Sequence, residues 1–241
     1  MTLHLLPRFV AHVDMLGMSE LTVRDPVHAW AALSRFAQAR DKILALSVEI
    51  VSTGEIVHIS ERVANLTFSD TLLAFTQSDE LADLHAILAL ATELVARCMS
   101  YCIPVRAGIA HGPFVFNFDH QLFAGPPLVH AYHLGEAAQW IGLVLDDATA
   151  DRARAIPHES DRRRPLVIEW EVPVKPQGTT RRCHVLDWPE SHRNNLKVPL
   201  PVSDELFYQP FQHMSGPWEN LPPDVRAKYE NTVAFINRPV P

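Results

Sequence analysis

The sequence predicts an α+β domain, one sheet covered by helices on a face, and three observations carry the prediction. Short β-rich runs alternate with amphipathic helical segments over the first 155 or so residues. Gly-, Pro- or Asp-bearing turns separate them. Proline then crowds the end of the chain: twelve of the nineteen prolines fall in the last 77 residues, where long helices are unfavourable.

Arg8 to Asp14 alternates and runs into Met15-Leu16-Gly17, which reads as a strand ending at a glycine turn. Asp25-Pro26 opens a helix, Asp as N-cap and Pro at the first position. Trp30, Leu33, Ala37 and Leu44 recur at helical spacing and extend it to about Leu46. ANLTF and TLLAF, within Val63 to Phe75, form a hairpin with Asp70 at its tip. Ser78 caps a second helix through Leu81, Leu84, Leu88, Leu94 and Cys98, ended by Pro104. Val105 to Ala110 is a strand that turns at His111-Gly112 into a second arm, Phe114 to Phe118. Gly125-Pro126-Pro127 opens a third helix through Trp140. Ile141 to Leu145 is a strand, and Asp146 caps another helix.

The order βαββαββαβα contains a ferredoxin-like βαββαβ core. Residues 1–164 are taken as this core and 165–241 as a Pro-rich extension. Leu166 to Val174 and Arg182 to Trp188 read as strands that extend the sheet, and Pro223 to Ile236 as a final helix. Trp188, Phe207, Tyr208, Phe211, Trp218, Tyr229 and Phe235 need burial, so the extension is not low-complexity disorder.

Composition excludes several function classes. At 241 residues, 47% hydrophobic and 20% charged, the chain can bury a sizeable core. A net charge of −7 offers no footprint for nucleic acid. The one basic cluster, Arg152, Arg154 and Arg162 to Arg164, is interrupted by acids and reads as a solvated loop. Three cysteines point to a reduced, cytoplasmic setting, and Cys98 and Cys102 to two small core-facing residues of one helix. The longest apolar stretch, Leu81 to Met99, contains Asp83, His85, Glu93 and Arg97, so no membrane span is expected.

Two aspartates carry the chemistry. Asp14 ends the first strand and Asp70 tips the neighbouring hairpin, so both carboxylates can reach one point at a sheet edge. Paired carboxylates there suit two Mg²⁺ or Mn²⁺ ions, which complete their shells with substrate phosphates and water. Such a pair of ions makes a hydroxyl easier to deprotonate and neutralises a leaving pyrophosphate.

The segments FVAHVDMLG (residues 9–17), FSDTLLAF (68–75), VRAGIAHG (105–112) and FAGPPLVHA (123–131) resemble, in order, successive blocks of the class III adenylate and guanylate cyclases. The likeness spans roughly residues 8 to 150. It implies that Asp14 and Asp70 are the metal ligands, that Arg106 grips the triphosphate, and that sites assemble across a head-to-tail homodimer. An Arg suits that role because its fork binds phosphate oxygens in a fixed plane.

The departures concern the substrate. Purine cyclases carry a base-reading lysine four residues before the second aspartate, where this chain has Leu66, and a glycine where it has Ser69. The family's ribose-orienting asparagine and transition-state arginine fall near Val129 and His133. A hydrophobic side chain cannot orient a ribose, and a histidine is only a conditional cation. Missing purine determinants, short format and the tail segments VLDW (185–188) and KYENT (228–232) resemble the pyrimidine cyclases of bacterial Pycsar antiphage systems. That likeness implies UTP as substrate, cUMP as a messenger for a partner effector, and base- or ribose-facing roles for Leu66, Val129, Tyr132 and His133, with His130 also a candidate. Cytidylate cyclase and a silent, nucleotide-binding pseudo-cyclase are the alternatives. A diguanylate cyclase lacks its hairpin signature here, and no Gly-x-Ser-x-Gly elbow supports a hydrolase.

Overall fold

The computed structural model describes residues 5–50, 53–156, 165–193, 200–201 and 203–239. Arg162 to Arg164 of the basic cluster lie outside them. The first strand, β1 (Leu6–Met15), is central, pairing antiparallel with a strand on each side. Its odd-numbered residues Phe9, Ala11 and Val13 enter the main core, and Val10 enters a smaller cluster on the other face. Gly17, at φ +80°, makes the turn into a short helix, α1 (Met18–Arg24), which was not expected. Helix α2 (Pro26–Leu44) starts as read, with the Asp25 carboxylate accepting from the His28 N–H at 3.1 Å. Its buried stripe is Ala29, Ala32, Phe36, Ala39 and Ile43, displaced by one position from the expected one, and Trp30 is 72% exposed. Both stripes have helical spacing; the alanines win because they let the helix lie close to its neighbours.

A separate hairpin, β2 (Ser47–Ile50) with β3 (Glu55–His58), and one turn of helix, α3 (Ile59–Arg62), follow. The expected hairpin is β4 (Val63–Phe68) with β5 (Thr71–Thr76), joined by Ser69 and Asp70 alone. Helix α4 (Leu81–Ser100) begins after Glu80, not at Ser78. The Ser78 hydroxyl is engaged just upstream, donating to Asp83 and accepting from the Glu80 N–H. Cys98 is buried, but Cys102 lies beyond the helix at φ +59°, so the two do not share a helical face.

Strand β6 (Val105–Asn117) runs straight through the expected His111-Gly112 turn. Those residues stay paired with Phe9 and Arg8 of β1, and the ladder overrides the local turn signal. The chain reverses later, into β7 (Leu122–Ala124). Helix α5 (Pro126–Ala137) stops short of Trp140, because Ala138 bridges to Val174. Strand β8 (Gly142–Leu145) and helix α6 (Asp147–Arg154), capped by the Asp146 carboxylate, match expectation. Strands β9 (Val167–Val174) and β10 (Thr179–Leu186) extend the sheet as read. Short helices α7 (Trp188–Ser191), α8 (Asp204–Tyr208) and α9 (Gln212–Ser215) lead to α10 (Pro223–Ile236).

The sheet order is β4-β5-β1-β6-β8-β10-β9, with β7 beside β6. Its first four strands reproduce the ferredoxin-like arrangement, and β6 with β8 is the parallel pair. Helices α2 and α4 pack on the odd-numbered face of β1. Helix α5 crosses the other face, so helices cover both sides rather than one. Glycine permits that crossing: a Cβ on Gly108 would sit 2.0 Å from the Ala131 carbonyl oxygen, and one on Gly135 about 3.3 Å from the backbone of Ala107 and Gly108. The aromatics of the extension are buried in the main core, Trp170 and Trp218 partly so. No helix among the described residues is long and apolar enough to cross a membrane.

Candidate active site

Asp14 sits in register with Thr71 of β5 on one side and Arg106 of β6 on the other, so the ladder itself sets carboxylate beside guanidinium. Asp70 arrives through the two-residue turn, and its carbonyl accepts from the Met15 N–H at 3.0 Å, clamping the hairpin tip to the end of β1. Ser69 reaches φ +54° in that turn, a left-handed conformation that a glycine adopts without cost. Asp14, Asp70 and Arg106 line one cleft of about 340 Å³. Its walls are the Met15–Glu20 segment, Lys175 from the β9–β10 turn, Ser215, and Asp224, Val225, Lys228 and Tyr229 of α10.

Charge is concentrated there. Burial pushes the Asp14 carboxyl above its ordinary range; Arg106 opposes this, while Asp70 and Glu136 add to it. Arg106, only 12% exposed, donates to Asp14 from Nε and Nη2 at 3.2 and 3.1 Å. It also donates to the Glu136 carboxylate and, at 3.3 Å, to the Glu136 carbonyl. Lys175 donates to the other Glu136 oxygen. Burial works against ionisation of Glu136, but Lys175 and Arg106 outweigh it and hold that carboxyl below the usual range. His12, two residues before Asp14 on the same face, is pushed down by burial and by Arg106.

The carboxylate pair has the donor chemistry that suits a hard divalent cation. Two carboxylates lining one cleft, with Asp70 adding to the charge around Asp14, offer oxygen donors of the kind Mg²⁺ or Mn²⁺ takes. Among the described residues no cluster of three or more His, Cys, Asp or Glu forms a self-contained metal cage.

The remaining candidates from the sequence stand apart from this cleft. Leu66 lies on β4 opposite Leu73, which pairs with His12, so it shares a cross-strand row on the α5 face. Val129, Tyr132 and His133 lie on exposed parts of α5, as does His130. Tyr132 packs edge-on to His12 with ring centroids 5.3 Å apart. The sequence reading missed Glu136, Lys175 and Lys228. Lys175 had one usable signal, its place beside Pro176 in the turn between two expected strands. Lys228, next to the buried Tyr229 on α10, carried no signal of its own.

No protein-family model matches the sequence, and no curated protein does. Solved structures do match. The catalytic core of a rhodopsin-guanylyl cyclase with converted specificity, in complex with ATPalphaS, superposes with a TM-score of 0.53 at 12% identity, over 76% of this chain and 95% of that one. An adenylate/guanylate cyclase/hydrolase from Silicibacter pomeroyi gives a TM-score of 0.49 at 18% identity, over 76% of this chain and 97% of that one. A class III adenylyl cyclase-like ATP-binding protein from Pseudomonas aeruginosa gives 0.46 at 13%, over 65% of this chain and 36% of that one. The chain has the fold of a class III cyclase catalytic core.

Proposed function

We propose that the protein is a nucleotide cyclase, and that its substrate is a pyrimidine nucleoside triphosphate, UTP before CTP. One observation carries the activity: Asp14, Asp70 and Arg106, taken from two neighbouring strands and a hairpin tip, converge on one cleft in a cyclase fold. In this reading Asp14 and Asp70 hold the cations, and Arg106 and Lys175 take the triphosphate oxygens. Two bound Mg²⁺ or Mn²⁺ ions supply charge neutralisation at the phosphates and a lower pKa for the ribose 3′-hydroxyl. The 3′-hydroxyl gives its proton to water, its oxygen bonds to the α-phosphorus, and the bond from that phosphorus to the α–β bridging oxygen breaks, so pyrophosphate leaves carrying that oxygen and its negative charge. The Arg106 fork must leave Asp14 and Glu136 to meet the nucleotide, so substrate replaces an internal set of ion pairs.

The pyrimidine assignment rests on Leu66, Val129 and His133 standing where purine cyclases have polar base- and ribose-reading groups. His133 is then the conditional cation nearest the transition state. A head-to-tail homodimer brings these residues to the partner's cleft. Val129 is 52% and Tyr132 44% exposed on α5, beside exposed His130 and His133, and Phe68 of β4 is 80% exposed, so apolar side chains stand at the surface there. Cyclic UMP made at such a site serves as a messenger to an effector in antiphage defence.

Equimolar UTP, CTP, ATP and GTP should be offered together with Mn²⁺ and the products separated by mass. A 3′,5′-cyclic pyrimidine nucleotide should dominate. A cyclic purine would sink the substrate assignment while leaving the cyclase.

A further inference from the structure

The cleft has a wall that the four sequence blocks do not supply: helix α10 of the Pro-rich extension. That helix is fixed to the segment leading from α5 into β8. The Ile141 N–H donates to Thr232 Oγ1 at 2.8 Å, Asn231 Nδ2 donates to the Gln139 carbonyl at 2.7 Å, and Phe235 packs edge-on to Trp140 at 4.6 Å. One turn earlier on α10, Lys228 enters the cleft lining with Asp14, Asp70, Arg106 and Lys175. Its side chain is 17% exposed, and its ion-pair partner is Asp224, 3.8 Å away and 65% exposed.

We infer that Lys228 is a binding residue for the triphosphate, a cation that the extension adds to Arg106 and Lys175. The geometry carries this. Arg106 and Lys175 already share the Glu136 carboxylate, whereas among the described residues Lys228 faces the same space with only a long, solvent-screened pair. A half-buried ammonium held on a rigid helix turn gains most from a polyanion that reaches all three cations at once. Burial, together with repulsion from Arg106 and Lys175, pushes the Lys228 ammonium below its ordinary range, and Asp224 and Glu136 only partly compensate. An incoming triphosphate reverses that balance. The inference rests on the cleft being a nucleotide site and adds a residue to it.

The test is direct binding, separable from turnover. Inorganic tripolyphosphate with Mn²⁺ is titrated into the full chain by calorimetry, beside UMP as a ligand lacking the β- and γ-phosphates. Lys228→Met should weaken tripolyphosphate about tenfold or more and leave UMP within about twofold, while Lys228→Arg restores most of the loss. Asp224→Asn, which removes the competing carboxylate, should tighten tripolyphosphate by roughly twofold. If Lys228 only braces α10, Asp224→Asn weakens the helix and does not tighten the ligand, and that overturns the assignment. So does a folded Lys228→Met that binds tripolyphosphate as the parent does. Lys228-dependent binding without any cyclic product supports this residue and refutes the cyclase reading; product with unchanged Lys228→Met binding does the reverse.

Discussion

Glu136 holds Arg106 and Lys175 together from the last turn of α5, and this one carboxylate sets what an anion must overcome to enter. Removing its charge while keeping its shape should favour the nucleotide. Glu136→Gln is expected to lower the triphosphate KM by roughly three- to tenfold without raising kcat, read from initial rates. An unchanged KM would mean that the nucleotide does not use those two cations. Asp14, Asp70 and Arg106 were legible in the sequence because motif order and strand ends place them. Glu136 and Lys228 were not, and Lys175 only as a turn residue, since each is recruited by long-range packing, between α5 and the β9–β10 turn or along α10, that no local pattern encodes.

Elements were legible where a local signal agreed with tertiary context. The Asp25-Pro26 start of α2, the Ser69-Asp70 turn and the span of α10 all follow their own chemistry. Where ladder and signal disagreed, as at His111-Gly112, the ladder won. The α5–β6 crossing depends on glycine at both contacts. Gly108→Ala should push α5 off the sheet and cost about 1–3 kcal/mol or more, seen as a lower urea midpoint. The extension has its own pH signature. Burial pushes the Tyr208 phenol up to about 12, and burial with Tyr208 nearby pushes Tyr229 higher still. A raised folded pKa means stability that is full below the unfolded phenol value, about pH 10, and is lost as pH climbs through the folded value; for Tyr208 this amounts to roughly 2 kcal/mol. Circular dichroism should show unfolding between about pH 10 and 12, concurrent with phenolate absorbance. Phenolate formation well before unfolding would contradict the buried placement.

At the scale of the whole molecule, a cyclase-type sheet is continued by two strands and closed by a helix, and the charged cleft lies where these parts meet. The sheet continuation could be read from the β-rich runs after Pro165; the return of α10 to the cleft could not, because nothing local directs a helix about 120 residues downstream back to Arg106. The account stands on metal-dependent phosphate chemistry at Asp14 and Asp70. The most direct test follows UTP with Mn²⁺ by mass spectrometry, in the parent chain and in Asp14→Asn and Asp70→Asn variants whose fold is checked by their melting curves. Cyclic UMP and equimolar pyrophosphate should form in the parent, and fall by about a hundredfold or more in each variant. No cyclic product from any of the four nucleoside triphosphates, or full turnover in either variant, would contradict it.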